Sequence, residues 1–501
     1  MKKIEAGFRD KKLFIGLFGK DVYAVGGYVR DLLRGISSDD IDTLVTRRPL
    51  EDIVAKIEPY GKVDLVGKSF GIIKFTIKGK TYDLALPRTD RPKGDASRGH
   101  KNILASSDPD LPLETDLERR DFRCNSIALR LADGKLIDPF NGAKDIRAKI
   151  IRVTNTESFP EDPLRVLRAA RFASILGFSM DPAIYDLAKS IDLSGLSVER
   201  VNEELFKILL FSDRPSLGLE ELFKLGALRQ LFPELYALTL IIQDSVFHPE
   251  KDDFGHHTVW HHTKLTVDQA RRLAGSSESR DEPSRRKWTP GQSPGPRPPW
   301  EAAKTLALLL AALFHDVGKA ETTQWEFKRG RMVITSAGHD GASERIARKI
   351  FGRLRIFSWN GFPLRKTALL LIKTHHRASE LWQNRKSVTR KAFNKLAADT
   401  AGEIELVVYL DVADRKGRKD RPVQGLDREG KWLLGKFREL RVDRETIKPL
   451  IMGRDLIKLG VAPGPEMGKM LDELYKRQMD NEFETKARGL KLAEKLVAGA
   501  P

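Results

Sequence analysis

A single cysteine, Cys124, in 501 residues excludes an internal disulfide and a cysteine-ligated zinc cluster, and it fits a reducing compartment. Long apolar runs are missing as well. No stretch approaches the roughly 18 consecutive apolar residues of a membrane span. The N-terminal "MKKIEAGFRDKKLFIGLFGK" scatters charges where a secretory signal needs an apolar centre. We therefore expect a soluble, cytoplasmic chain with no membrane partner. There is no internal repeat. Acidic side chains are in deficit: Lys and Arg total 88 against 70 Asp and Glu, a formal net charge of +18, which favours a polyanionic partner such as nucleic acid. The length suffices for several separate cores.

Strand-like runs such as "GIIKFTIKG" and "KTYDLAL" alternate with short helices up to about residue 142, which predicts an α+β head with a mixed sheet. From 143 to 240 apolar residues recur at spacings of three and four, as in "SVERVNEELFKILL", and predict a helical neck. A histidine-rich helical region follows over 241–425. The segment 275–300 interrupts it with six prolines and many polar residues, a composition that suits a flexible insertion. The remainder, 426–501, reads as a charged helical tail.

Chemistry concentrates first in "YAVGGYVRDLLRGISSDDIDTLV", Tyr23 to Val45. A short buried strand runs into Gly26-Gly27, where backbone amides can approach a ligand closely. A helix start carrying Arg30 follows, a setting that suits a phosphate. Period-two alternation in "DIDTLV" puts Asp40 and Asp42 on one strand face. Two carboxylates there repel unless hard cations such as Mg2+ lie between them and share substrate phosphates. The bland alternative is a solvated edge strand with surface acids. A phosphoryl or nucleotidyl transferase also needs a third carboxylate, and "TYDLAL" offers Asp83, with an edge-strand acid as its plain alternative.

Arginines dominate the next two motifs. "ERRDFRCNSIAL" gathers Arg119, Arg120, Asp121 and Asn125, types that bind phosphate and ribose hydroxyls or that merely begin a charged helix. In "EDPLRVLRAARF", Glu161, Asp162 and Pro163 suit a helix N-terminus, and Arg165, Arg168 and Arg171 recur every third residue. That row is either a solvated face or a set of donors and acceptors for the Watson–Crick edge of a base. Further on, "HHTKL", "LFHDVGKA", "AGHDGAS", "KTHHRAS" and "DVADRKGR" bring His262, His315, Asp316, His339, His375 and Asp414 into one helical region. Imidazoles with carboxylates form a transition-metal ligand set, and His315 and Asp316, read as neighbours on one helix, can bridge a site.

"GGYVRD…DDID", "YDLALPR", "RRDFRCNSIA", "DPFNGAKDI", "EDPLRVLRAARF" and "SVERV" together resemble, in order and spacing, the class II nucleotidyltransferases. These are the bacterial CCA-adding tRNA nucleotidyltransferases and their poly(A) polymerase relatives. The likeness covers most of residues 20–240. It implies template-independent addition of C and A, from CTP and ATP, to tRNA 3′ ends. Gly26, Gly27 and Arg30 would hold the triphosphate, Asp40 and Asp42 two Mg2+, and Asp83 would be the third acid. Arg119 to Asn125 would contact ribose and phosphate. Glu161, Asp162 and Arg165 would pair with the incoming base, supported by Arg168 and Arg171. The histidine region resembles the HD phosphohydrolase superfamily, which implies a divalent transition metal or Mg2+ and phosphatase or phosphodiesterase activity. The tail "GRDLIKLGVAPGPEMGK" resembles family tails that lie near RNA.

Poly(A) polymerase and an A-only tRNA enzyme are the rivals within the family. Ser69 in "VGKSFGIIKF" leans toward tRNA, and the basic loop "RTDRPKGDASRGHK" argues against a CC-only enzyme. A rival of another class is an HD phosphohydrolase whose head binds RNA without catalysis, against which Asp40 and Asp42 speak.

Overall fold

The computed structural model describes residues 6–66, 72–92, 103–275, 299–328, 330–418, 425–440, 442, 449–480 and 482–498. Ser69, residues 93–101 of the basic loop and residues 276–298 of the Pro-rich insertion lie outside the described residues. The described chain divides into two units, one running to Tyr236 and the other from Ala237 onward.

In the first unit the strands are β1 (Val22–Val25), β2 (Asp42–Val45), β3 (Lys62–Val66), β4 (Ile72–Ile77), β5 (Lys80–Ala85), β6 (Arg88–Pro92), β7 (Ile103–Ser107), β8 (Ala128–Arg130) and β9 (Leu136–Ile137). Seven of them form one mixed sheet in the order β3-β4-β5-β2-β1-β8-β9, while β6 and β7 pair separately. β2 and β5 run parallel and every other pairing in the sheet is antiparallel. Period two explains the layering. Tyr82 and Leu84 of β5 point into the core, and Asp83 between them faces outward. Tyr82 packs edge-on against Phe14 with ring centroids 5.2 Å apart, and its hydroxyl donates to Asp10 Oδ2 at 2.6 Å.

The head continues into the neck without a break. The helix Gly142–Ala148 packs on the turn Arg123–Asn125, and Ile150–Ile151 pairs in parallel with Ser179–Met180. Within the neck, the helix Leu164–Leu176 lies against Val198–Phe211 and Pro215–Lys224. The arginine row is not a solvated face. Arg171 Nε donates to Glu204 Oε2 at 2.5 Å, and that carboxylate is almost wholly buried.

In the second unit the helix Pro299–Phe314 is apolar all round over Leu306–Phe314, and every residue of that run is fully buried. It packs with Val259–Gly275 and Ile404–Gly417. The helices ending at Gly275 and beginning at Pro299 bracket the expected insertion. His315 and Asp316 do not share a helix, contrary to the sequence reading: the helix stops at Phe314 and the pair opens a turn. Gly318 closes that turn against the helix His339–Arg353. A Cβ there would lie 2.5 Å from both the His339 carbonyl oxygen and the Ser343 nitrogen, which holds position 318 to glycine. The tail folds as helices Arg428–Glu439, Gly453–Lys458, Pro465–Met479 and Lys486–Ala498, the last three around Leu456, Leu474 and Phe483.

The Arg171–Glu204 pair yields a stability prediction. Arg171→Ala, which leaves a buried carboxylate unpaired, should lower the stability of the first unit by about 3 kcal/mol in denaturant unfolding. The double change Arg171→Met with Glu204→Met should recover most of it. Equal losses in both variants would show that the ion pair itself is the stabilising element.

Candidate active sites

The parallel register places Asp42 of β2 directly beside Asp83 of β5 on the open face of the sheet. β2 begins at Asp42, the first residue paired with β5, so Asp40 sits two residues before the ladder instead of within the strand as its spacing suggested. The two remain close enough to interact: burial, then Asp40 and Asp83, push the Asp42 carboxyl above its usual range, while Arg120 and Lys74 oppose the shift. Lys74, opposite Asp83 on β4, brings its ammonium to 3.2 and 3.4 Å from the two Asp83 oxygens. Crowded carboxylates that recruit a lysine are a donor set suited to hard divalent cations.

Gly26 has φ +68, and a Cβ there would lie 2.8 Å from Arg120 Nη1 and 3.8 Å from Asp42 Oδ2. The glycine thus keeps the approach to Asp42 open and admits the Arg120 guanidinium. Arg30 lies beside Gly27 but is occupied inward: Nε and Nη2 bond Asp31 at 3.0 and 2.9 Å, and Nη1 bonds Asn125 Oδ1 at 2.8 Å. Asp116, fully buried on the helix Leu113–Glu118, was not singled out by sequence. Its carboxylate accepts from Arg119 Nη2 at 2.6 Å and Arg120 Nη2 at 3.0 Å. Although burial opposes ionisation, these two guanidiniums hold it below the usual carboxylate range.

Asp121 joins this face to the neck. Oδ1 accepts from the Phe122 amide at 2.8 Å and Asn125 Nδ2 at 3.0 Å, and Oδ2 accepts from Arg168 Nε at 2.7 Å. Burial alone would raise its pKa, but Arg168 and Asn125 bring it down to about 2. Cys124, adjacent in the chain, is buried with its thiol pushed up to about 12, so it offers no thiolate nucleophile.

On the candidate base-selecting turn, Asp162 receives Arg200 Nη2 at 3.2 and 3.1 Å on its two oxygens and caps the Leu164 amide at 3.2 Å. Arg200, in "SVERV", is a partner that sequence reading did not assign to it. Arg165 is buried and donates to the carbonyls of Ser158 and Arg119 at 2.6 and 2.7 Å. It therefore ties the turn to the arginine motif. Glu161 is exposed.

The six histidine-region residues converge on one buried centre. His262 Nε2 lies 2.8 Å from Asp414 Oδ1, His315 Nε2 3.3 Å from Asp316 Oδ2, and His339 Nε2 3.3 Å from Asp316 Oδ1. The other ring nitrogens are tied outward. Nδ1 of His315, His339 and His375 faces the carbonyls of Ala312, Ser336 and Ile372 at 2.9, 2.8 and 2.6 Å, and His262 Nδ1 lies 2.9 Å from Glu250 Oε1. This fixes Nε2 as the inward nitrogen on each ring. Nε2 of His315 and of His375 is buried without a hydrogen-bond partner, as a waiting metal ligand would be. Burial opposes protonation of His315, but Asp316 and Asp414 push it up to about 10. Lys319 at 2.7 Å from Asp316 and Arg418 at 3.0 Å from Asp414 supply further positive charge. Sequence reading missed Glu250, which also accepts from His248 at 3.0 Å, and His376, 3.0 Å from His339 Nε2. The doubled histidine of "KTHHRAS" was the available signal for His376.

Family models match in three stretches: a poly A polymerase head domain over residues 22–152, a probable RNA and SrmB- binding site of polymerase A over 177–238, and an HD domain over 259–416. The first spans Gly26 to Asn125 and the third all six residues from His262 to Asp414. The chain is 33% identical over 423 residues to the multifunctional CCA protein of Vibrio vulnificus (strain YJ016), covering 81% of this chain and 89% of that one. With the multifunctional CCA protein of Dechloromonas aromatica (strain RCB) it shares 34% over 370 residues, 72% and 75% of the two chains. The crystal structure of Bacillus stearothermophilus CCA-adding enzyme in complex with CTP has the same fold, with TM-score 0.61, 21% identity and coverage of 99% and 100%. Sequence, fold and the two constellations agree: this chain belongs to the family of multifunctional CCA proteins.

Proposed function

We propose that the first unit adds C and A from CTP and ATP to tRNA 3′ ends through Asp40, Asp42 and Asp83, and that the histidine–aspartate centre of the second unit hydrolyses phosphoesters. The observation that carries the first reading is the register of Asp42 beside Asp83 at the mouth of the Gly26 turn. The relatives named multifunctional CCA proteins favour CCA addition over A-only or poly(A) addition. The chain carries no helix, among the described residues, long and apolar enough to cross a membrane.

In nucleotide addition the RNA 3′-hydroxyl attacks the α-phosphorus and pyrophosphate leaves, so the protein's task is positioning and neutralisation of charge. Asp40, Asp42 and Asp83 would hold divalent cations, Mg2+ by the oxygen-only donor set, which supply Lewis acidity and neutralise the triphosphate. Gly26 and Gly27 leave backbone at the phosphates' approach, and Arg120, oriented by Asp116, is the guanidinium that reaches it. Asp121 and Asn125 fix Arg30 and Arg168. Asp162, oriented by Arg200, presents the acceptor that reads the base edge, and Arg165, spent on the Ser158 and Arg119 carbonyls, holds that turn in place. Arg119 and Arg171 are held by Asp116 and Glu204 and support this frame.

In the second unit, the inward Nε2 atoms of His262, His315, His339 and His375, with Asp316 and Asp414, would hold a divalent transition metal that activates water for phosphoester hydrolysis. Glu250 keeps His262 in the right tautomer, and Lys319 and Arg418 add positive charge for a phosphate.

Asp42→Asn or Asp83→Asn should reduce CCA addition at least about 100-fold without unfolding the chain, because charge stabilisation worth several kcal/mol is withdrawn. Incorporation near the native rate by either variant contradicts the assignment. Asp162→Ala and Arg200→Ala should both raise misincorporation of U and G by about 10-fold, since one base-edge contact is worth roughly 1–3 kcal/mol. An Arg200→Ala variant with native fidelity would show that Asp162 needs no such orientation. His315→Ala with Asp316→Ala should abolish metal-dependent hydrolysis of 2′-phosphate and 2′,3′-cyclic substrates, tested with several metals, while CCA addition continues. Proportional loss of both activities in a folded variant contradicts two separate sites.

A further inference from the structure

Three residues on adjacent strands line up across the mixed sheet. Lys74 of β4 opposes Asp83 of β5, and Asp83 opposes Asp42 of β2. Residues paired across neighbouring strands stand about 5 Å apart and share a face, so Asp83 has a carboxylate on one side and an ammonium on the other. The row ends beside the Gly26 turn, where a Cβ on the glycine would lie 3.8 Å from Asp42 Oδ2. Lys74 Nζ lies 3.2 Å from Oδ1 and 3.4 Å from Oδ2 of Asp83. Such nearly equal distances put the ammonium in the fork of the carboxylate, which is where a divalent cation shared by both oxygens would sit. Among the described residues, Asp83 is the one acid of the three held in an ion pair, and Asp40 and Asp42 have none.

Stability does not account for this pair. Its side chains are 46% and 41% exposed, and an ion pair so open to water contributes little to folding. Its effect falls instead on what Asp83 can bind. An ammonium in the fork repels a second cation, and a divalent ion that reaches Asp83 has to displace it. The displaced ammonium then needs another anion. A nucleotide triphosphate supplies one, and its oxygens complete the shell of a Mg2+ ion that carboxylates hold only in part.

We propose that Lys74 is a resident counter-ion of Asp83 that keeps the three acids from holding a divalent cation tightly until the triphosphate arrives. The inference rests on the reading of Asp40, Asp42 and Asp83 as metal ligands, and it adds a residue that couples ion binding to nucleotide binding. The test is Mn2+ titration of the full chain followed by electron paramagnetic resonance, with and without a CTP analogue whose α–β linkage cannot be cleaved. The ions counted are those that Asp42→Asn releases, which sets aside any held by the histidine–aspartate centre. Without nucleotide, Lys74→Met should bind these ions about 5- to 30-fold more tightly than the native chain does. The tightening that the analogue brings should shrink by a similar factor. Lys74→Arg keeps the charge and should bind the ions no more tightly than the native chain. Unchanged affinity in Lys74→Met overturns the proposal. So does weaker binding, which would show that Lys74 holds Asp83 in place for the ion instead of competing with it. If the native chain binds no such ion even with the analogue, the metal reading of the three acids fails, and the proposal with it.

Discussion

One buried carboxylate, Asp121, holds the head together with the neck helix Leu164–Leu176. Leaving it without partners would be prohibitively costly, so groups from several parts of the sequence must reach it: its own Phe122 amide, Asn125 and Arg168. Asn125 in turn holds Arg30 beside the glycine turn. With a folded pKa of about 2 against an ordinary 3.8, the Asp121 carboxylate contributes stability that is complete above the ordinary value and lost as pH falls toward 2. A head and neck that share such a buried charge network cannot separate cheaply. This explains why the expected boundary near residue 142 passes through a single compact body.

Much of the site was legible because it follows short-range rules. "TYDLAL" offered Asp83 between apolar neighbours, and in β5 it faces away from Tyr82 and Leu84, while the glycine pair marked a close approach. The limits have equally physical causes. Alternation cannot say where a ladder ends, so Asp40 was placed in a strand that begins two residues later. Spacing of three gave a row of arginines, but which acid meets each one depends on tertiary packing. Glu204 and Arg200 lie on the helix Val198–Phe211, more than 30 residues away in sequence, and Asp116 sits in an ordinary acidic turn. Arginines that resemble a ligand-facing stripe prove to be largely the mortar of the site, and the acids opposite them were invisible in the pattern.

The histidine–aspartate centre obeys the same logic in reverse. Its residues announce themselves by type, whereas what fixes the rings of His315, His339 and His375 is a backbone carbonyl that composition cannot show. Three Nδ1 nitrogens face carbonyls and one faces Glu250, which leaves a ring of inward Nε2 atoms around two acids. The helix end at Phe314 and the tight turn at Gly318 bring His315 and Asp316 to His339, a geometry that a continuous helix would not provide.

The claim that the Asp121–Arg168 contact couples the phosphate face to the selecting helix is tested most directly by a double-mutant cycle. The measurement is kcat/KM for CTP and ATP addition to tRNA in Asp121→Asn, Arg168→Gln and the two combined. The account predicts strong non-additivity, with the double variant little worse than the poorer single one and a coupling of about 1–3 kcal/mol. Losses that simply add would contradict it, because the two residues would then act as independent contacts.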